Sequence, residues 1–466
     1  MKIRFVTLGC KLNFAESSAI GKALLEQGHT RAKQGEEADI CVINTCSVTD
    51  NADHKDRQAI NRIHRQNPNA IIIVTGCYAQ LQPEQIAQIE GVDYVLGQNE
   101  KYNITQLVDE IEQLRNNLED GVPPTGRSHC ELQFRDKVSV CAIREVDDFH
   151  GAYSKDDRTR CFLKVQDGCN YFCTYCTIPY ARGKSRNPKI ADVIVEAQQA
   201  LAEGAKELVL TGVNIGDFGR STGESFIDLL KALDCLEDAS LQFSGRSQSE
   251  LQVRGERLEA RGERREAKGM DYRIRISSCE PNLLTDEIID FVATSKHFAP
   301  HFHIPLQSGS NEVLKIMKRR YTRELFEERV NHIKQVMPHA FIGVDCMVGV
   351  RGETEECFND YVEFIKRLNV SQLHVFTYSE RANTRMLELD VCIVPKAERQ
   401  RRSKILHQIS EEKTQTFYAE QTGREAVVLW ESKKEGDLMA GFTENYVKVH
   451  RTYDKEKVNS FEVVVI

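Results

Sequence analysis

A pattern that occurs three times in the first hundred residues constrains the fold most: a run of β-branched residues that ends in cysteine. The three runs are Ile3–Cys10, Ile40–Cys46 and Ile71–Cys77. Helical patterns lie between them, at Glu16–Gln27 and Ala52–Gln66, and a fourth strand is predicted at Val92–Leu96. Strands that alternate with helices predict a parallel α/β sheet.

The cysteines Cys10, Cys46 and Cys77 each end a strand of this predicted sheet. In parallel sheets ligands bind beyond the carboxyl ends of the strands, so we expect the three thiols to converge at one edge. Three thiolates can bind an iron–sulfur cluster and leave one iron without a protein ligand. Free cysteine is also common as a plain core residue. The spacing alone leaves both interpretations open, whereas Cys41 lies in mid-strand and is predicted to be core.

A second group of cysteines, Cys169, Cys173 and Cys176, follows the strand-like run Cys161–Val165. With this spacing, each thiolate can bind one iron of a cubane, and the fourth iron stays open for a substrate. A closed zinc site needs four nitrogen or sulfur ligands, and no fourth Cys or His stands within a few residues. A disulfide joins cysteines in pairs and does not account for three. The spacing therefore predicts an iron–sulfur cluster with an open iron.

From Cys161 to about Asp390 strands and helices alternate again, with helices such as Ala191–Ala202 and Thr354–Leu368. The predicted strands are Phe162–Val165, Glu207–Leu210, Tyr272–Ser277, His301–Leu306, Phe341–Val348 and Leu373–Thr377. Six β/α units predict a partial barrel, whose functional groups we expect at the strand ends. Polar or glycine-containing segments stand there, at Thr211–Asn214, Ser277–Pro281, Pro305–Ser308 and Gly349–Gly352.

The composition indicates a cytoplasmic, enzyme-like protein. Hydrophobic residues make up 41% and charged residues 28% of the 466 residues, which is ordinary for a globular protein. No signal-peptide core and no apolar run of about eighteen residues occur, so we expect no membrane association. Fifteen cysteines in such a chain fit reduced thiols and metal clusters. A net charge of −8 argues against nonspecific coating of nucleic acid, although a local basic face stays possible.

Four parts are expected along the chain: a parallel α/β domain at 1–113, a linker at 114–160, the barrel at 161–413 and a small all-β barrel at 414–466. The linker is predicted to contain a short hairpin around 136–144. Within the barrel, residues 244–269 form a charged insertion with two near copies of a seven-residue unit. We expect this insertion to be a surface excursion without a catalytic role. The C-terminal strands are predicted at 426–430, 436–441, 446–449 and 461–466.

The second cysteine group resembles the motif of radical S-adenosylmethionine (SAM) enzymes. The segments Thr7–Asn13, Asn44–Val48 and Thr75–Ala79 resemble signature segments of the methylthiotransferase N-terminal domain, and residues 414–466 resemble the RNA-binding TRAM domain. The resemblance implies two [4Fe-4S] clusters. The SAM-binding cluster would be held by Cys169, Cys173 and Cys176, and an auxiliary cluster by Cys10, Cys46 and Cys77.

Six residues at the barrel strand ends are implied as SAM contacts by the same resemblance. They are Gly212, Asn214, Ser277, Glu280, Gln307 and Met347. One segment departs from the family pattern, because Gly349–Thr354 reads Gly-Val-Arg-Gly-Glu-Thr where the family has Gly-Phe-Pro-Gly-Glu-Thr. The missing proline leaves the exact shape of that loop open.

The reaction implied by the resemblance is methylthiolation of an unactivated C–H bond, with one SAM as methyl donor and a second as radical source. Thr7–Asn13 and Leu210–Gly216 resemble most the branch that acts on N6-threonylcarbamoyladenosine (t6A) next to the tRNA anticodon. The expected partners are a tRNA anticodon stem-loop carrying t6A, an electron donor such as flavodoxin or ferredoxin, and a sulfur source. Sister branches act on isopentenyladenosine in tRNA or on a ribosomal protein aspartate. Two further alternatives are a radical SAM enzyme whose N-terminal cluster relays electrons, and a nonenzymatic RNA-binding iron–sulfur protein.

Basic groups along the chain are predicted either to be solvated helix faces or to form an RNA path around the barrel mouth. They are Arg182, Lys184, Arg186, Lys189, Lys318, Arg319, Arg320, Arg323, Arg399, Arg401, Arg402 and Lys404, with Lys433, Lys434, Lys448 and Arg451 in the C-terminal part. The single cysteines Cys235, Cys279, Cys346, Cys357 and Cys392 are predicted to lie in core or helix positions, and Cys130 and Cys141 to be ordinary thiols.

Overall fold

The computed structural model describes most of the chain. The described residues are 1–33, 35–47, 49–119, 137–154, 159–236 and 271–466. The charged insertion at 244–269 and Cys130 lie outside them. None of the described helices is long and apolar enough to cross a membrane.

The N-terminal residues form a parallel sheet with the strand order β2-β1-β3-β4-β5-β6. Its strands are β1 (Lys2–Thr7), β2 (Thr30–Arg31), β3 (Ile40–Thr45), β4 (Ile71–Gly76), β5 (Tyr94–Leu96) and β6 (Val138–Ser139). The central strand β3 is buried throughout, as expected for an isoleucine- and valine-rich strand covered on both faces. Thr7 pairs with Asn44, and Thr45 pairs with Gly76, so β1, β3 and β4 end side by side.

Helices cover this sheet on both faces. They are α1 (Lys11–Glu26), α2 (Asp50–Gln66), α3 (Cys77–Leu81), α4 (Pro83–Ala87) and α5 (Ile104–Glu119), with 3-10 turns at Glu100–Asn103 and Ile143–Glu145. Helix α1 begins five residues before its predicted start, at Lys11. The first turns contain Asn13 and Glu16, which are polar yet buried. Their polarity interrupts the apolar periodicity from which the start was predicted.

The predicted hairpin around 136–144 is wrong. Val138 and Ser139 instead form β6, which pairs in parallel with Val95 and Leu96 at the edge of the N-terminal sheet. A strand of two residues that pairs with a distant segment leaves no local alternation in the sequence.

The six predicted barrel strands are confirmed. They are β7 (Arg160–Lys164), β8 (Glu207–Thr211), β9 (Arg273–Ile276), β10 (His301–Gln307), β11 (Phe341–Val348) and β12 (Gln372–Thr377). They form two parallel sheets of three strands, in the orders β7-β8-β9 and β10-β11-β12. Bridges between Ile274 and Phe298, and between Ser278 and His303, join the two sheets into one partial barrel.

The barrel strands present two different faces. The helices around them are α6 (Ile178–Arg182), α7 (Ile190–Ala202), α8 (Phe226–Asp234), α9 (Asp286–Thr294), α10 (Asn311–Ile316), α11 (Arg323–Val336) and α12 (Glu355–Arg367), with 3-10 turns at Ile215–Asp217 and Arg385–Glu388. Residues such as Leu163 and Leu208 pack with these helices in the main core. Their sequence neighbours, such as Phe162 and Val209, point the opposite way, since side chains alternate along a strand. We call that side the inner face of the barrel.

Helix α1 of the N-terminal sheet packs against this inner face. Ala15, fully buried, contacts Phe162 of β7 and Val209 of β8, and the Phe14 and Phe162 ring centroids lie 6.5 Å apart. One side of the partial barrel is thereby closed by another domain.

The C-terminal residues form an antiparallel sheet of the order β15-β14-β13-β16, curled into half a barrel. Helix α13 (Lys396–Gln421) leads into β13 (Glu425–Glu435), β14 (Leu438–Phe442), β15 (Lys448–Thr452) and β16 (Phe461–Val465), with a 3-10 turn at Lys455–Lys457. This sheet lies against the amino ends of the barrel strands. Arg273 donates to the Val427 carbonyl at 3.2 Å, and Arg160 donates to the Tyr446 hydroxyl at 3.0 Å.

Candidate active site

The three N-terminal cysteines lie at the same edge of their sheet, as predicted. Cys10 precedes α1, Cys46 follows β3, and Cys77 begins α3 directly after β4. Gly9 has φ +100°, and a Cβ added there would lie 2.5 Å from the Cys46 Cβ. The segment around Cys10 therefore touches the segment around Cys46, and glycine makes that approach possible.

Glycine is needed again directly before Cys77. Gly76 has φ +101°, and a Cβ added there would lie 2.3 Å from the Thr45 carbonyl oxygen. The close approach of β4 to the end of β3 fixes where Cys77 enters its helix.

The second cysteine group occupies the loop after β7. Cys169 Sγ accepts a hydrogen bond from the Tyr171 backbone N–H at 3.4 Å. Cys173 Sγ accepts one from Arg319 Nη1 at 3.1 Å. Burial, together with Cys173 and Cys169, raises the pKa of the Cys176 thiol to about 12. These thiols therefore favour the protonated state unless a cation binds them.

Neither cysteine triad has the geometry of a single-ion site. Among the described residues, the three sulfurs of a triad never all lie within 4.8 Å of one another. A tetrahedral zinc ion holds its sulfur ligands at about 2.3 Å from the metal, hence roughly 3.8 Å apart. The wider spacing fits a multi-iron cluster, in which each thiolate binds a different iron.

Arg319 connects the second triad to one of the implied SAM contacts. Its guanidinium forms an ion pair with the Glu280 carboxylate, and the same guanidinium donates to Cys173. Both side chains are largely buried. A cation held beside Cys173 suits an anionic cluster there.

Several buried polar atoms at the barrel mouth have no hydrogen-bond partner among the described residues. They are the amide atoms of Asn214, the Gln307 Oε1, the Asn282 Oδ1 and the Tyr378 hydroxyl. The Asn214 amide lies close enough to the Tyr171 hydroxyl to affect its pKa, without hydrogen-bond geometry. Unpaired buried polar groups are costly, so these atoms suit a polar ligand at the mouth.

The other implied SAM contacts lie at the same end of the barrel. Ser277 is buried after β9, and Met347 lies on the inner face of β11, partly buried. Gly212 stands where a Cβ would meet Gln166 Oε1 at 2.8 Å. That Gln166 oxygen accepts the Val213 backbone N–H at 2.9 Å, which holds the turn that carries Asn214.

A buried ion network joins the N-terminal sheet to the barrel. It contains two carboxylates and four cations: Glu16, Asp167, Lys101, Lys164, Arg182 and Arg186. Glu16 of α1 is fully buried and lies 2.8 Å from Lys101 and 3.0 Å from Lys164. The cations hold the pKa of the Glu16 carboxyl well below its usual range, against the effect of burial.

This network lies between the two cysteine triads. Arg182 is within electrostatic reach of Cys10 and Cys77, and it contacts Asp167 at 3.0 Å, two residues before Cys169. A second contact joins the residues that directly follow Cys176 and Cys46: Thr177 Oγ1 donates a hydrogen bond to the Ser47 carbonyl at 3.3 Å. The residues that follow Cys176 and Cys46 are thereby held together.

A polar cluster lies on the inner face of the barrel and was not predicted from the sequence. His303 Nε2 lies 2.7 Å from Asp345 Oδ1, and the His303 and His374 ring centroids are 5.0 Å apart. Lys11, the residue after Cys10, lies within electrostatic reach of Asp345 and His374 of this cluster. Burial and the guanidinium groups of Arg160 and Arg275 lower its pKa to about 8. The period-two alternation of β10, β11 and β12 could have shown that these side chains share one face.

Several basic residues differ from both predicted roles. Arg182, Arg186, Arg319 and Arg402 are buried and ion-paired, so they are neither solvated nor available to RNA. In the C-terminal sheet, Lys448 pairs with Glu435 at 2.9 Å, and Arg451 pairs with Glu462 at 2.5 Å. Exposed basic groups nearer the cluster loop are Lys184, Lys189, Lys318 and Arg320. Sequence spacing does not distinguish a buried arginine from an exposed one.

The single cysteines follow the predictions in part. Cys41, Cys279, Cys346 and Cys357 are buried. Cys392 is exposed in the loop before α13, so the prediction of a core or helix position is wrong there. Cys235 is exposed at the end of α8.

Family models match both halves of this site. The model described as "Uncharacterized protein family UPF0004" matches residues 2–97, and the Radical SAM superfamily model matches residues 163–365. The first match contains Cys10, Cys46 and Cys77, and the second contains the other triad.

Full-length relatives agree with these models. A protein of Bacillus subtilis named threonylcarbamoyladenosine tRNA methylthiotransferase MtaB is 37% identical over 96% of this chain and 89% of its own length. One of Aquifex aeolicus with the same name is 34% identical over 98% of both chains. The solved structure of a radical S-adenosylmethionine methyltransferase, TsrM, from Kitasatospora setae has a TM-score of 0.51 at 14% identity, over 80% of this chain and 72% of that one, and shares the fold. On the strength of the full-length relatives, this chain belongs to the methylthiotransferase family of radical SAM proteins.

Proposed function

We propose that this protein converts t6A next to the tRNA anticodon to its 2-methylthio derivative. The observation that carries this proposal is the pair of cysteine triads, which lie at the carboxyl ends of two neighbouring parallel sheets and are joined by buried contacts. The t6A substrate is supported by the name that both full-length relatives share. A sister substrate, isopentenyladenosine or a ribosomal protein aspartate, is not favoured by these relatives.

The two triads are proposed to have separate roles. Cys169, Cys173 and Cys176 hold the [4Fe-4S] cluster that binds SAM, and the auxiliary [4Fe-4S] cluster is held by Cys10, Cys46 and Cys77. When bound, these groups supply the one-electron chemistry and the sulfur that insertion into an unactivated C–H bond requires. The cysteine spacing in the structure, too wide for a single ion, supports this assignment.

The residues of the barrel mouth are proposed to bind and orient SAM. Asn214 and Gln307 offer unpaired polar atoms, Ser277 and Met347 lie at the same end of the barrel, and Gly212 leaves room beside Gln166. Glu280 acts mainly through Arg319, whose guanidinium it holds against Cys173.

We further propose that the C-terminal sheet serves as a TRAM-like RNA-binding module, with Lys433 and Lys434 as its exposed basic pair. The functional units follow the limits 1–113, 161–413 and 414–466, with 114–160 as a connection that also supplies β6 to the N-terminal sheet. The protein works in the cytoplasm with a reductant such as flavodoxin or ferredoxin and with a separate sulfur source.

Iron content and turnover test the proposal. The anaerobically reconstituted protein is compared with a variant in which Cys10, Cys46 and Cys77 are all alanine, on anticodon stem-loops with adenosine or t6A. We expect about eight irons per chain, falling to about four in the variant. The variant still forms 5′-deoxyadenosine but no methylthio product. About four irons in the unaltered protein, or product on neither RNA, contradicts the proposal.

A further inference from the structure

Lys11 is an uncompensated cation inside the barrel. Among the described residues its ammonium has no ion pair or hydrogen bond. Arg160, Arg275, Glu207 and Asp345 all lie within electrostatic reach of it. Lys11 is nevertheless exposed, so it is accessible to a ligand.

The anions near Lys11 are already engaged. Glu207 forms ion pairs with Arg273 and, at 2.9 Å, with Arg275. Asp345 is bonded to His303 at 2.7 Å. Arg160 pairs with Glu431 at 3.0 Å. Four cations, Lys11, Arg160, Arg273 and Arg275, thus lie beside three carboxylates, Glu207, Glu431 and Asp345, and the surplus positive charge favours an anionic ligand.

The position of Lys11 relates this charge to the reaction. It directly follows Cys10, and α1 places it between the first triad and the His303–Asp345 pair. Gly343 lies against both histidine rings, since a Cβ there would lie 3.2 Å from His374 Nε2 and 3.8 Å from His303 Cδ2. Glycine at this position lets the two rings pack at a centroid distance of 5.0 Å.

We infer that Lys11 binds the carboxylate of the substrate's threonylcarbamoyl group within the barrel. This inference rests on the t6A substrate proposed above. In t6A the threonyl carboxylate is attached through N6 of the adenine, and the carbon to be modified, C2, lies on the same ring. A group that binds the carboxylate next to Cys10 therefore holds C2 near the auxiliary triad. The His303–Asp345 pair offers further polar partners to the same substituent.

Binding measurements with a carboxamide analogue test this inference directly. The reconstituted holoenzyme is titrated with anticodon stem-loops that carry t6A, the threoninamide analogue without the carboxylate charge, or plain adenosine. We expect the unaltered protein to bind the t6A stem-loop about 10- to 100-fold more tightly than the threoninamide stem-loop. In Lys11→Met we expect the affinity for the t6A stem-loop to fall close to that for the threoninamide stem-loop, while the affinity for the threoninamide stem-loop stays unchanged. Lys11→Arg is expected to keep part of the preference for t6A.

Controls separate binding from assembly. Lys296→Met, an exposed lysine between α9 and β10, retains the full ratio. Iron content and 5′-deoxyadenosine formation without RNA report whether Lys11→Met still holds both clusters and cleaves SAM.

Three results overturn the inference. One is an unaltered protein that binds the t6A and threoninamide RNAs equally. Another is a Lys11→Met variant that keeps the full ratio or weakens both RNAs equally. The third is a Lys11→Met variant that binds sulfide at the auxiliary cluster differently but keeps the affinity ratio between the two RNAs. Lys11 would then act on the cluster and not on the substrate. Failure of the proposed function is distinct, because it appears as no methylthio product from t6A RNA with the unaltered protein.

Discussion

Arg182 donates hydrogen bonds to both carboxylate oxygens of Glu16, from Nη1 to Oε1 at 3.1 Å and from Nη2 to Oε2 at 3.2 Å. Glu16 belongs to a helix of the N-terminal sheet and Arg182 to a helix of the barrel. Neither side chain is exposed by more than 1%. The relative position of the two cysteine triads thus depends on a buried, two-bond contact between charged groups.

Removing Glu16 is expected to lower the stability of the protein, because this carboxylate joins the N-terminal sheet to the barrel. Glu16→Leu leaves Lys101, Lys164 and Arg182 with one carboxylate fewer, and breaking a buried ion network from one side costs about 3–5 kcal/mol. Denaturant unfolding measures the loss. The control is Glu26→Gln, at the exposed end of the same helix, which stays within about 0.5 kcal/mol of the unaltered protein. A small loss with Glu16→Leu contradicts the interpretation.

Gly76→Ala tests how the sheet places Cys77. The added Cβ lies 2.3 Å from the Thr45 carbonyl oxygen, so the end of β4 must shift. Gly204 provides a matched control, because it has φ +97° but nothing within 4 Å of its would-be Cβ. Gly204→Ala is expected to cost about 1–2 kcal/mol from backbone strain alone. Gly76→Ala costs more and lowers the iron content toward about four per chain. Equal stability losses with full iron content argue against this placement.

Arg319→Met is expected to lower the reduction potential of the cluster at the second triad. The change removes a cation and a hydrogen bond from Cys173 Sγ, and both favour the reduced, more negative cluster. A hydrogen bond of about 1.4 kcal/mol corresponds to about 60 mV for one electron. An anaerobic redox titration followed by electron paramagnetic resonance measures the shift. Lys231→Met, which breaks an ion pair with Glu287 that is exposed on both sides, serves as the control and leaves the potential unchanged. An unchanged potential in Arg319→Met rules out this role.

The Glu196 side chain gives a pH dependence to stability. Burial raises the pKa of its carboxyl to about 7, from about 4.5 in the unfolded chain. Between these values the folded state binds more protons, so its stability falls as pH rises from about 4.5 to 7. Glu196→Gln is therefore expected to match the unaltered protein at pH 4.5 and to exceed it by about 1–3 kcal/mol at pH 8. Unfolding at several pH values checks this, with Glu90→Gln, an exposed residue, as the control. A constant difference at all pH values contradicts the assignment.

The sequence indicated much of this architecture because strand ends and cysteines coincide. The run Ile71–Cys77 is apolar up to its last residues, and in the structure β4 ends at Gly76 with Cys77 directly after it. An apolar run that stops at a functional residue marks both the buried strand and the sheet edge. The barrel strands were recognised for the same reason.

Ion pairs between residues that are far apart in the chain could not be predicted from the sequence. The sequence places Arg182 among neighbouring basic residues, yet its partner Glu16 lies 166 positions away. Lys11 belongs to the Thr7–Asn13 motif, but its surroundings depend on how α1 meets the barrel. Local patterns carry the period of a strand or helix, whereas such pairs depend on how distant elements dock.

The packing of Ala15 on Phe162 and Val209 has a consequence for how such proteins can be recombined. Helix α1 covers part of the inner face of the barrel. A barrel produced without residues 1–113 therefore exposes an apolar surface on its inner side. A chimera that exchanges only the barrel between two family members must match this contact as well as the Glu16–Arg182 pair. The two halves are therefore expected to be inherited and exchanged as one unit.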